Sequence, residues 1–457
     1  MIKSMGLRAT VAALALFAAG PVIASENAPT ALWDWDDYLD ALKPLGDKVL
    51  AITQNPNNPQ DRQDTWRALM ANVAQAHQQV VYADPNYPEF VPVYSTALNL
   101  SAPNPDYLYR RTLVDGAGVY RLRGKRGTNL FTLISMSNGH YALGNAKPNT
   151  GSHDLDELKL GTDGSFSVIL SKERPAGYTG DWWYLDPQTT SVGMRVAAYD
   201  WANEQDSKVG IERLDVPSSA QRLSAEESDR RLKLMATWVE NQPKLGYGRI
   251  ADLVSKGLIN KLQVYDYSSI GGAEGQIYVE GMYDVQPDEG LLLEAKVPDK
   301  CKYWSFLVGD EQFLTIDWMQ HQSSLNGFQS RIDKDGIVRM VISPTDPGVP
   351  NWLDTGGYKR GIIQVRWNNC TAAPNPVATK IKLAECVPTS RLKLRSSRNS
   401  NAKRNCVIAD LPHRCGSAGS NGLTGWSPYD VIARAPDRTE GRGFFDDDPD
   451  PPPTCSC

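Results

Sequence analysis

LDTGGYKRGIIQVRWNN, residues 353–369, aligns without a gap with LDPQTTSVGMRVAAYDW, residues 185–201. The match keeps the Leu-Asp pair, a glycine at 193 and 361, and an aromatic residue at Tyr199 and Trp367. Just upstream, Trp183 and Trp352 stand in nearly the same place. A segment that returns at a fixed distance along a chain indicates an internal duplication. Chance similarity among short strands is the alternative.

Two further pairs of segments occur in the same order. VYRLRGKRGTNLFTLIS (119–135) and LLLEAKVPDKCKYWSFLVG (291–309) each predict a strand, a basic turn and a second strand. The turn dipeptides Asp163-Gly164 and Asp335-Gly336 each lead into an apolar strand. Short alternating strands broken by Gly, Pro, Asn and Asp are typical of a mainly β protein. The sequence therefore predicts two β-rich lobes related by duplication.

Helical patterns precede and separate these lobes. Residues 32–53 and 59 to about 81 have a helical pattern, in which Asn58 can cap the second helix and Pro59 suits its first position. Trp66, Met70, Val73 and His77 would share one face, so His77 is expected to be a packed or half-buried helix residue rather than a ligand. A third helix is predicted over 224–241, with Ser224 and Glu227 as a capping box and Pro243 ending it.

These patterns predict six segments. They are a signal peptide (1–25), an N-terminal helical segment (26–100), a first lobe (101–222), a helical connector (223–262), a second lobe (263–385) and a tail (386–457). In the first segment, Lys3 and Arg8 precede an apolar run from Ala9 to Gly20, and small residues follow up to Ser25. This pattern is typical of a secretory signal peptide cleaved after Ala24 or Ser25. We expect a periplasmic or secreted protein without stable membrane insertion after cleavage, because the apolar run is shorter than the about 20 residues of a membrane span.

Composition excludes one class of partner. The formal net charge is −5 and the sequence pI is about 5.7. A nucleic-acid-binding protein needs a basic face to neutralise phosphates, so no nucleic-acid partner is expected. Twelve Trp and nineteen Tyr residues suit contact with a glycan or small molecule, because aromatic rings offer broad apolar faces with a polar handle. Ordinary core packing is the alternative for any one of them.

The cysteines are unevenly placed. Cys301 and Cys370 are the two that precede residue 385, and five others crowd the last 72 residues. An exported protein can form disulfides, and Cys301 could pair with Cys370. The even spacing of a small stapled domain is absent from the sequence.

A long stretch of the second lobe carries a family resemblance. SSLNGFQSRIDKDGIVRMVISPTDPGVPNWLDTGGYKRGIIQVRW (323–367), preceded by Asp317-Trp318, resembles the C-terminal core of the bacterial family catalogued as domain of unknown function 1214. NPDYLYR (104–110) and GDWWYLDP (180–187) are similar to the N-terminal part of longer members. The resemblance implies a β-sandwich of jelly-roll character with an attached helical element, and it implies no substrate. The predicted fold is thus two β-sandwich, jelly-roll-like lobes joined by a helical block.

The tail departs from that family pattern, in which an amphipathic helical ending follows a segment like IKLAE (381–385). Residues 387–404 contain six basic residues and no acidic ones, and the chain finishes with DDDPDPPP before its last residues. No hydrophobic period accompanies them. Our hypothesis is that residues from about Cys386 are an out-of-frame translation or a degenerate extension. A functional basic arm with an acidic end is the alternative.

Several catalytic and metal patterns are missing from the sequence, which contains no G-x-S-x-G, H-E-x-x-H, paired C-x-x-C or P-loop motif. His153 stands beside Asp154 and Asp156, which could bind a cation, but short acidic runs in loops are mostly solvated. DKDG (333–336) resembles a fragment of a calcium loop, yet it lacks the other ligand positions and predicts a hairpin turn. We expect no metal site, and no cofactor is indicated.

The best polar cluster lies in the second lobe. If Asp317, His321 and Arg366 converge, then a carboxylate, an imidazole and a guanidinium could perform acid/base chemistry on an anionic sugar or an ester. A surface salt-bridge network is the alternative. On a strand through 361–367, Gln364 and Arg366 would share one face. The candidate ligand-binding residues are Trp318, Gln322, Asn326, Trp352, Asp354 and, in the first lobe, Tyr109.

Part of that cluster belongs to DPGVPNWLDTGG (346–357), which we interpret as a rigid reversal because prolines fix φ and Gly356-Gly357 permit positive φ. Two functional classes follow from these residues. The first is an exported β-sandwich that binds a glycan or small molecule. The second is an exported hydrolase or lyase that acts on a polysaccharide or ester through the second-lobe cluster. Neither substrate nor oligomeric state is indicated by the sequence.

Overall fold

The computed structural model describes residues 31–267 and 272–386. The predicted signal peptide and the tail after Cys386 lie outside these residues. Within these ranges lie four α-helices: α1 (Trp35–Leu42), α2 (Leu45–Leu50), α3 (Pro59–Ala76) and α4 (Ala225–Ser255). A π-helical segment (His77–Tyr82) follows α3. Within the described ranges, no helix is both long and apolar enough to cross a membrane.

Nine strands build the first lobe. They are β1 (Val91–Tyr94), β2 (Tyr107–Leu113), β3 (Tyr120–Lys125), β4 (Phe131–Ser137), β5 (Gly151–Asp154), β6 (Ser165–Ser171), β7 (Asp181–Tyr184), β8 (Ser191–Ala197) and β9 (Lys208–Arg213). A five-stranded sheet has the order β1-β2-β8-β4-β5, and a four-stranded sheet has the order β7-β6-β3-β9. Strand β1 joins the first sheet through β2, so this lobe includes residues before 101.

Nine more strands build the second lobe. They are β10 (Leu262–Asp266), β11 (Gln276–Asp284), β12 (Glu289–Lys296), β13 (Cys301–Val308), β14 (Ser324–Asn326), β15 (Ile337–Ser343), β16 (Trp352–Asp354), β17 (Arg360–Cys370) and β18 (Val377–Lys382). The five-stranded sheet has the order β10-β11-β17-β13-β14, and the four-stranded sheet has the order β16-β15-β12-β18. Each strand order is that of the first lobe with nine added to every number. The internal duplication and the two β-sandwich lobes are therefore confirmed.

The residue pairing read from the sequence needs a correction within this confirmed duplication. Leu170 pairs with Trp183 in the first lobe, and Ile342 pairs with Leu353 in the second, so Trp183 corresponds to Leu353. Trp352 therefore corresponds to Trp182 rather than to Trp183. The ungapped alignment is also out of step by an odd number of residues across β8 and β17. It sets the core residues Val192, Met194 and Val196 opposite Arg360, Ile362 and Gln364, whereas Ile363, Val365 and Trp367 face the core of the second lobe. A slip of one residue exchanges the two faces of a strand, and sequence similarity alone does not detect it.

Each lobe has an apolar core between its two sheets. In the second lobe the core includes Ile363, Val365 and Trp367 of β17. Gln364 and Arg366 lie on the opposite face, as the alternation of a strand requires. Cys301 of β13 and Cys370 of β17 are cross-strand partners and form a disulfide at one edge of this core.

Helix α4 is longer than predicted, because Pro243 lies inside it and does not end it. A proline lacks the N–H that would bond to the carbonyl four residues earlier, which here is that of Val239. The side-chain amide of Asn72 on α3 donates to this carbonyl oxygen at 2.9 Å. Beyond the proline, Ile250 and Leu253 of α4 pack against second-lobe residues. The helix therefore continues because its second half has a core to bury against.

The predicted apolar face of α3 is wrong at Met70 and His77, whereas Trp66 and Val73 are half-buried and Val73 packs against the helical core. Met70 is 66% exposed, and His77 is exposed at the start of the π-helical segment. The helix instead buries polar side chains, among them Asn72 and Gln75, whose amide groups donate to the carbonyls of Val239 and Val93. Hydrogen bonds to main-chain carbonyls offset the free-energy cost of removing these amide groups from water. The pattern over 32–53 forms two short helices, because Pro44 begins α2.

Candidate functional site

Two loops at one end of the second lobe carry most of the predicted site residues. The first, 309–323, follows β13, and the second, 346–358, surrounds the short strand β16. The loops are joined because the Asp354 N–H donates to the Gln322 carbonyl at 2.9 Å. The side-chain amide of Gln322 donates a second hydrogen bond, of 2.7 Å, to the Trp352 carbonyl. We call these two segments the second-lobe loop pair.

His321 and Asp354 form the central contact of this loop pair. Nδ1 of His321 lies 2.8 Å from Oδ2 of Asp354. The other carboxylate oxygen accepts the N–H of Gly356 at 2.8 Å. The His321 side chain is 37% exposed and that of Asp354 is 16% exposed. The pair therefore lies at the surface, and Asp354 is the more buried of the two. A carboxylate on Nδ1 fixes the orientation of the ring and leaves Nε2 available for a ligand or a proton.

The other predicted residues of the loop pair have mainly local partners. Asp317 is exposed, and its carboxylate accepts the N–H of Met319 at 2.9 Å. Trp318 is half-buried. Trp352 and Asp354 project from the same face of β16, while Leu353 between them is buried in the core. The Trp352 indole donates to the Ser343 carbonyl at 3.0 Å, which holds the ring against β15.

The glycines of the second loop adopt the backbone conformation that the sequence predicts. Gly356 has a φ of 59° and Gly357 a φ of 87°. A Cβ on Gly356 would lie 3.0 Å from Ile316 and 3.5 Å from the His321 ring, whereas a Cβ on Gly357 would meet nothing within 4 Å. The turn after β16 is therefore both a reversal of the chain and one wall around His321.

Arg366 does not join His321 and Asp317, contrary to the predicted convergence. It is 3% exposed on the outer face of β17, where a guanidinium N–H donates to the Ala102 carbonyl at 3.0 Å. Its guanidinium also lies 5.5 Å from the Tyr278 ring centroid. The loop pair meets β17 near Ile362, and four residues of strand separate that point from Arg366, or roughly 13 Å. The strand alternation was correct, but the position along the strand places Arg366 between the lobes.

Asn326 and Tyr109 also lie between the lobes rather than at the loop pair. Nδ2 of Asn326 donates to Oδ1 of Asp106 at 2.9 Å, and Asn326 is fully buried. The Tyr109 hydroxyl accepts the N–H of Asn104 at 3.1 Å. Burial raises the pKa of Tyr109. These two residues contribute to the contact between lobes.

Asp106 is the hub of that contact. It accepts hydrogen bonds from the Tyr303 hydroxyl at 2.6 Å, from Asn326, and from the Trp201 indole at 2.8 Å. Asn104 in turn donates to the Tyr303 hydroxyl at 2.6 Å. Burial raises the pKa of Asp106 to about 6, against the opposing effect of these donors. We call Asp106 and its partners the interlobe polar cluster; it holds the two duplicated halves together.

A small acidic cavity was not predicted. It measures about 30 Å³ and is lined in part by Asp61, Asp64, Asp310 and Glu311. Asp310 is buried, and its Oδ1 accepts the N–H groups of Gln312 and Leu314. Burial, with Asp64 and Glu311 nearby, raises the pKa of Asp310 to about 7. Its members are far apart in sequence, on α3 and on the loop after β13, so no local motif signals them.

The two sequences that resemble metal ligands have structural partners instead. His153 lies 2.8 Å from Glu157 and stacks on Trp183, while Asp154 bonds to Lys302 at 2.9 Å. In the DKDG turn, Asp333 and Asp335 both pair with Arg339. Over the part of the chain that the structure describes, no group of three or more His, Cys, Asp or Glu residues could hold a metal ion.

Fold and site together define a duplicated two-lobe β-sandwich protein with an interlobe polar cluster. Residues 110–200 and 286–367 match the family model described as "Protein of unknown function (DUF1214)". The two matched regions lie one in each lobe, and the resemblance read from the sequence is confirmed over them. The N-terminal helical segment lies outside both regions.

A solved structure shows the same fold. The chain is similar to an uncharacterized protein from Burkholderia cenocepacia, with a TM-score of 0.71 and 28% sequence identity over 77% of this chain and 97% of that one. A protein from Vibrio parahaemolyticus matches with a TM-score of 0.41 and 12% identity over 73% of this chain and 99% of that one. No curated protein matches the chain.

Proposed function

We propose that this protein is exported and binds a glycan or another small molecule at the second-lobe loop pair. The observation that carries the proposal is the arrangement of Trp352, Asp354 and His321. An aromatic ring and a carboxylate project from one face of β16, and a half-exposed imidazole is bonded to that carboxylate. Sugars and similar small molecules present apolar ring faces and hydroxyl groups, which such a surface can contact together.

The duplication supplies a matched control for this proposal. Trp182 occupies the position in the first lobe that Trp352 occupies in the second, and its indole also bonds to a serine, Ser171, at 3.0 Å. The residue that corresponds to Asp354 is Tyr184. The first lobe therefore repeats the tryptophan without the carboxylate two residues after it.

The test is a binding screen on the mature chain, with oligosaccharides and small metabolites, read by thermal shift and then by calorimetry. We expect Trp352→Ala and His321→Ala to weaken the binding of any ligand found at least tenfold. Trp182→Ala should leave it unchanged. Equal loss in Trp182→Ala and Trp352→Ala, or no loss in either, would contradict the assignment of the ligand to the loop pair.

A second candidate function is a hydrolase or lyase that acts on a polysaccharide or ester. The observation that favours it is the 2.8 Å contact between His321 and Asp354, since a carboxylate that orients an imidazole is a common way to prepare a general base. Turnover that disappears in His321→Ala and falls in Asp354→Asn would establish catalysis. Ligand retention without turnover over the same panel would favour binding alone.

Export is supported by two independent features. The N-terminal pattern from Lys3 to Ser25 is typical of a secretory signal, and the Cys301–Cys370 disulfide suits an oxidising compartment. N-terminal sequencing of the protein from cell fractions tests the proposal. We expect a chain that begins after Ala24 or Ser25 in the periplasmic or secreted fraction. A cytoplasmic chain that retains Met1 would overturn it.

A further inference from the structure

A cavity of about 320 Å³ lies between β2 of the first lobe, the π-helical segment and the first half of α4. Its walls are largely apolar, with side chains of Val80, Leu113, Leu143, Leu223 and Leu234. Small-molecule sites in proteins have volumes of about 300–1,000 Å³, so this cavity is large enough to be one. It shares no residue with the second-lobe loop pair.

Arg111 of β2 brings a positive charge to this apolar wall. The residue is 8% exposed, and Nη1 donates to Oε1 of Gln79 at 3.2 Å. Among the residues that the structure describes, no carboxylate pairs with it. Burial lowers the pKa of Arg111 to about 10, and the hydroxyls of Tyr141 and Tyr94 oppose that shift. A buried guanidinium without an anionic partner is costly in free energy, so the site is incomplete as it stands.

The other arginines of the cavity are already paired. Arg231 lies 2.8 Å from Asp84 and 2.7 Å from Glu227. Arg230 pairs with the same glutamate at 2.7 Å. These two carboxylates therefore already pair with Arg230 and Arg231. Of the three arginines that line the cavity, Arg111 is the one without an acidic partner. A ligand with one negative charge would balance the charge of this wall.

We propose that this cavity binds a monocarboxylate with a short apolar chain, whose carboxylate pairs with Arg111 and whose chain lies against the leucines. A planar guanidinium can donate two parallel hydrogen bonds to a carboxylate, and burial of the apolar chain against the apolar walls would stabilise the complex. The cavity holds roughly ten non-hydrogen atoms, at the about 30 Å³ that a water molecule occupies in the liquid. A dianion such as phosphate would leave one charge without a partner.

The experiment measures the binding of sodium butyrate, hexanoate and octanoate to the full mature protein by calorimetry and thermal shift. Octanamide and inorganic phosphate are the matched probes that lack the charge or the chain. We expect affinity to rise with chain length up to octanoate, and octanamide and phosphate to bind at least tenfold more weakly than octanoate. Equal binding of octanoate and octanamide, binding of phosphate alone, or no binding of any carboxylate would overturn the proposal.

Two variants locate the site. Arg111→Gln should weaken octanoate binding at least tenfold without lowering the melting temperature of the free protein, because it removes an uncompensated buried charge. Arg123→Gln, on the exposed side of β3, is the control and should bind as the wild type does. Leu223→Trp at the 39% exposed rim should block the cavity while leaving Arg111 in place, so it decides the question if Arg111→Gln fails to fold. Full octanoate binding by Leu223→Trp would overturn the proposal.

Discussion

The side-chain amide of Asn72 donates a 2.9 Å hydrogen bond to the main-chain carbonyl of Val239. That carbonyl is the one that Pro243, four residues later in α4, cannot satisfy because it has no N–H. Asn72 is fully buried, so the bond is shielded from water. A side chain of α3 thus replaces a missing helix hydrogen bond and allows α4 to continue through a proline.

We predict that Asn72→Ala lowers the free energy of unfolding by about 2 kcal/mol, because a buried carbonyl loses its partner. In a Pro243→Ala background the restored N–H can reach Val239, so the same change should cost clearly less. Urea unfolding of the two single variants and the double variant measures this coupling. Purely additive effects would show that Asn72 does not act on the carbonyl that the proline leaves.

The two glycines after β16 should respond differently to alanine. Both have positive φ, so each substitution costs about 1–2 kcal/mol of backbone strain. Gly356→Ala should cost about 1 kcal/mol more, since its Cβ would press on Ile316 and approach His321. Thermal unfolding compares the two variants, and NMR signals of the His321 ring should move in Gly356→Ala alone. A larger effect in Gly357→Ala would contradict the described geometry.

Asp310 should make stability depend on pH. Its pKa is raised from 3.8 to about 7, so the folded protein holds this proton over a range in which the unfolded chain has lost it. Its contribution therefore falls as pH rises from about 4 to about 7 and is constant above that range. We expect Asp310→Asn, which keeps an acceptor for Gln312 and Leu314, to be more stable than the wild type at pH 8 and equal to it at pH 4. Parallel stability curves for the two proteins would refute this assignment.

The disulfide between Cys301 and Cys370 should contribute strongly to stability. It joins neighbouring strands across a sequence separation of 69 residues. We predict that Cys301→Ser with Cys370→Ser lowers the free energy of unfolding by about 2–4 kcal/mol. Guanidinium unfolding with and without reductant checks the prediction, and reductant should not affect the double variant. A wild type that is insensitive to reductant while its disulfide is reduced would contradict it.

Local patterns predicted much of the fold. The Asp-Gly turns at 163–164 and 335–336 each precede a strand of the correct lobe, and the capping residues Asn58 and Ser224 begin α3 and α4 as expected. Sequence reasoning failed where a distant partner decides the outcome. Pro243 predicts the end of a helix unless Asn72 is known to lie beside Val239, and the face of α3 depends on which carbonyls its amides meet.

The candidate site was predicted in part for the same reason. His321, Gln322, Trp352 and Asp354 lie on two loops that neighbouring strands bring together, and the structure places them in contact. Arg366 shares a strand with the core of that lobe, but its place along the strand turns it toward Ala102 of the other half. The role proposed for Arg111 was not predicted, because the sequence does not show whether an arginine is buried or whether an acidic side chain lies beside it.

Asp106 and Tyr303 lie in the layer between the duplicated halves. Each half carries groups that suit the other: a carboxylate with a raised pKa on one side, and hydroxyl and amide donors on the other. Either half alone would leave these polar groups without the partners that burial requires. We therefore expect the two halves to unfold as one cooperative unit, although each encloses an apolar core of its own.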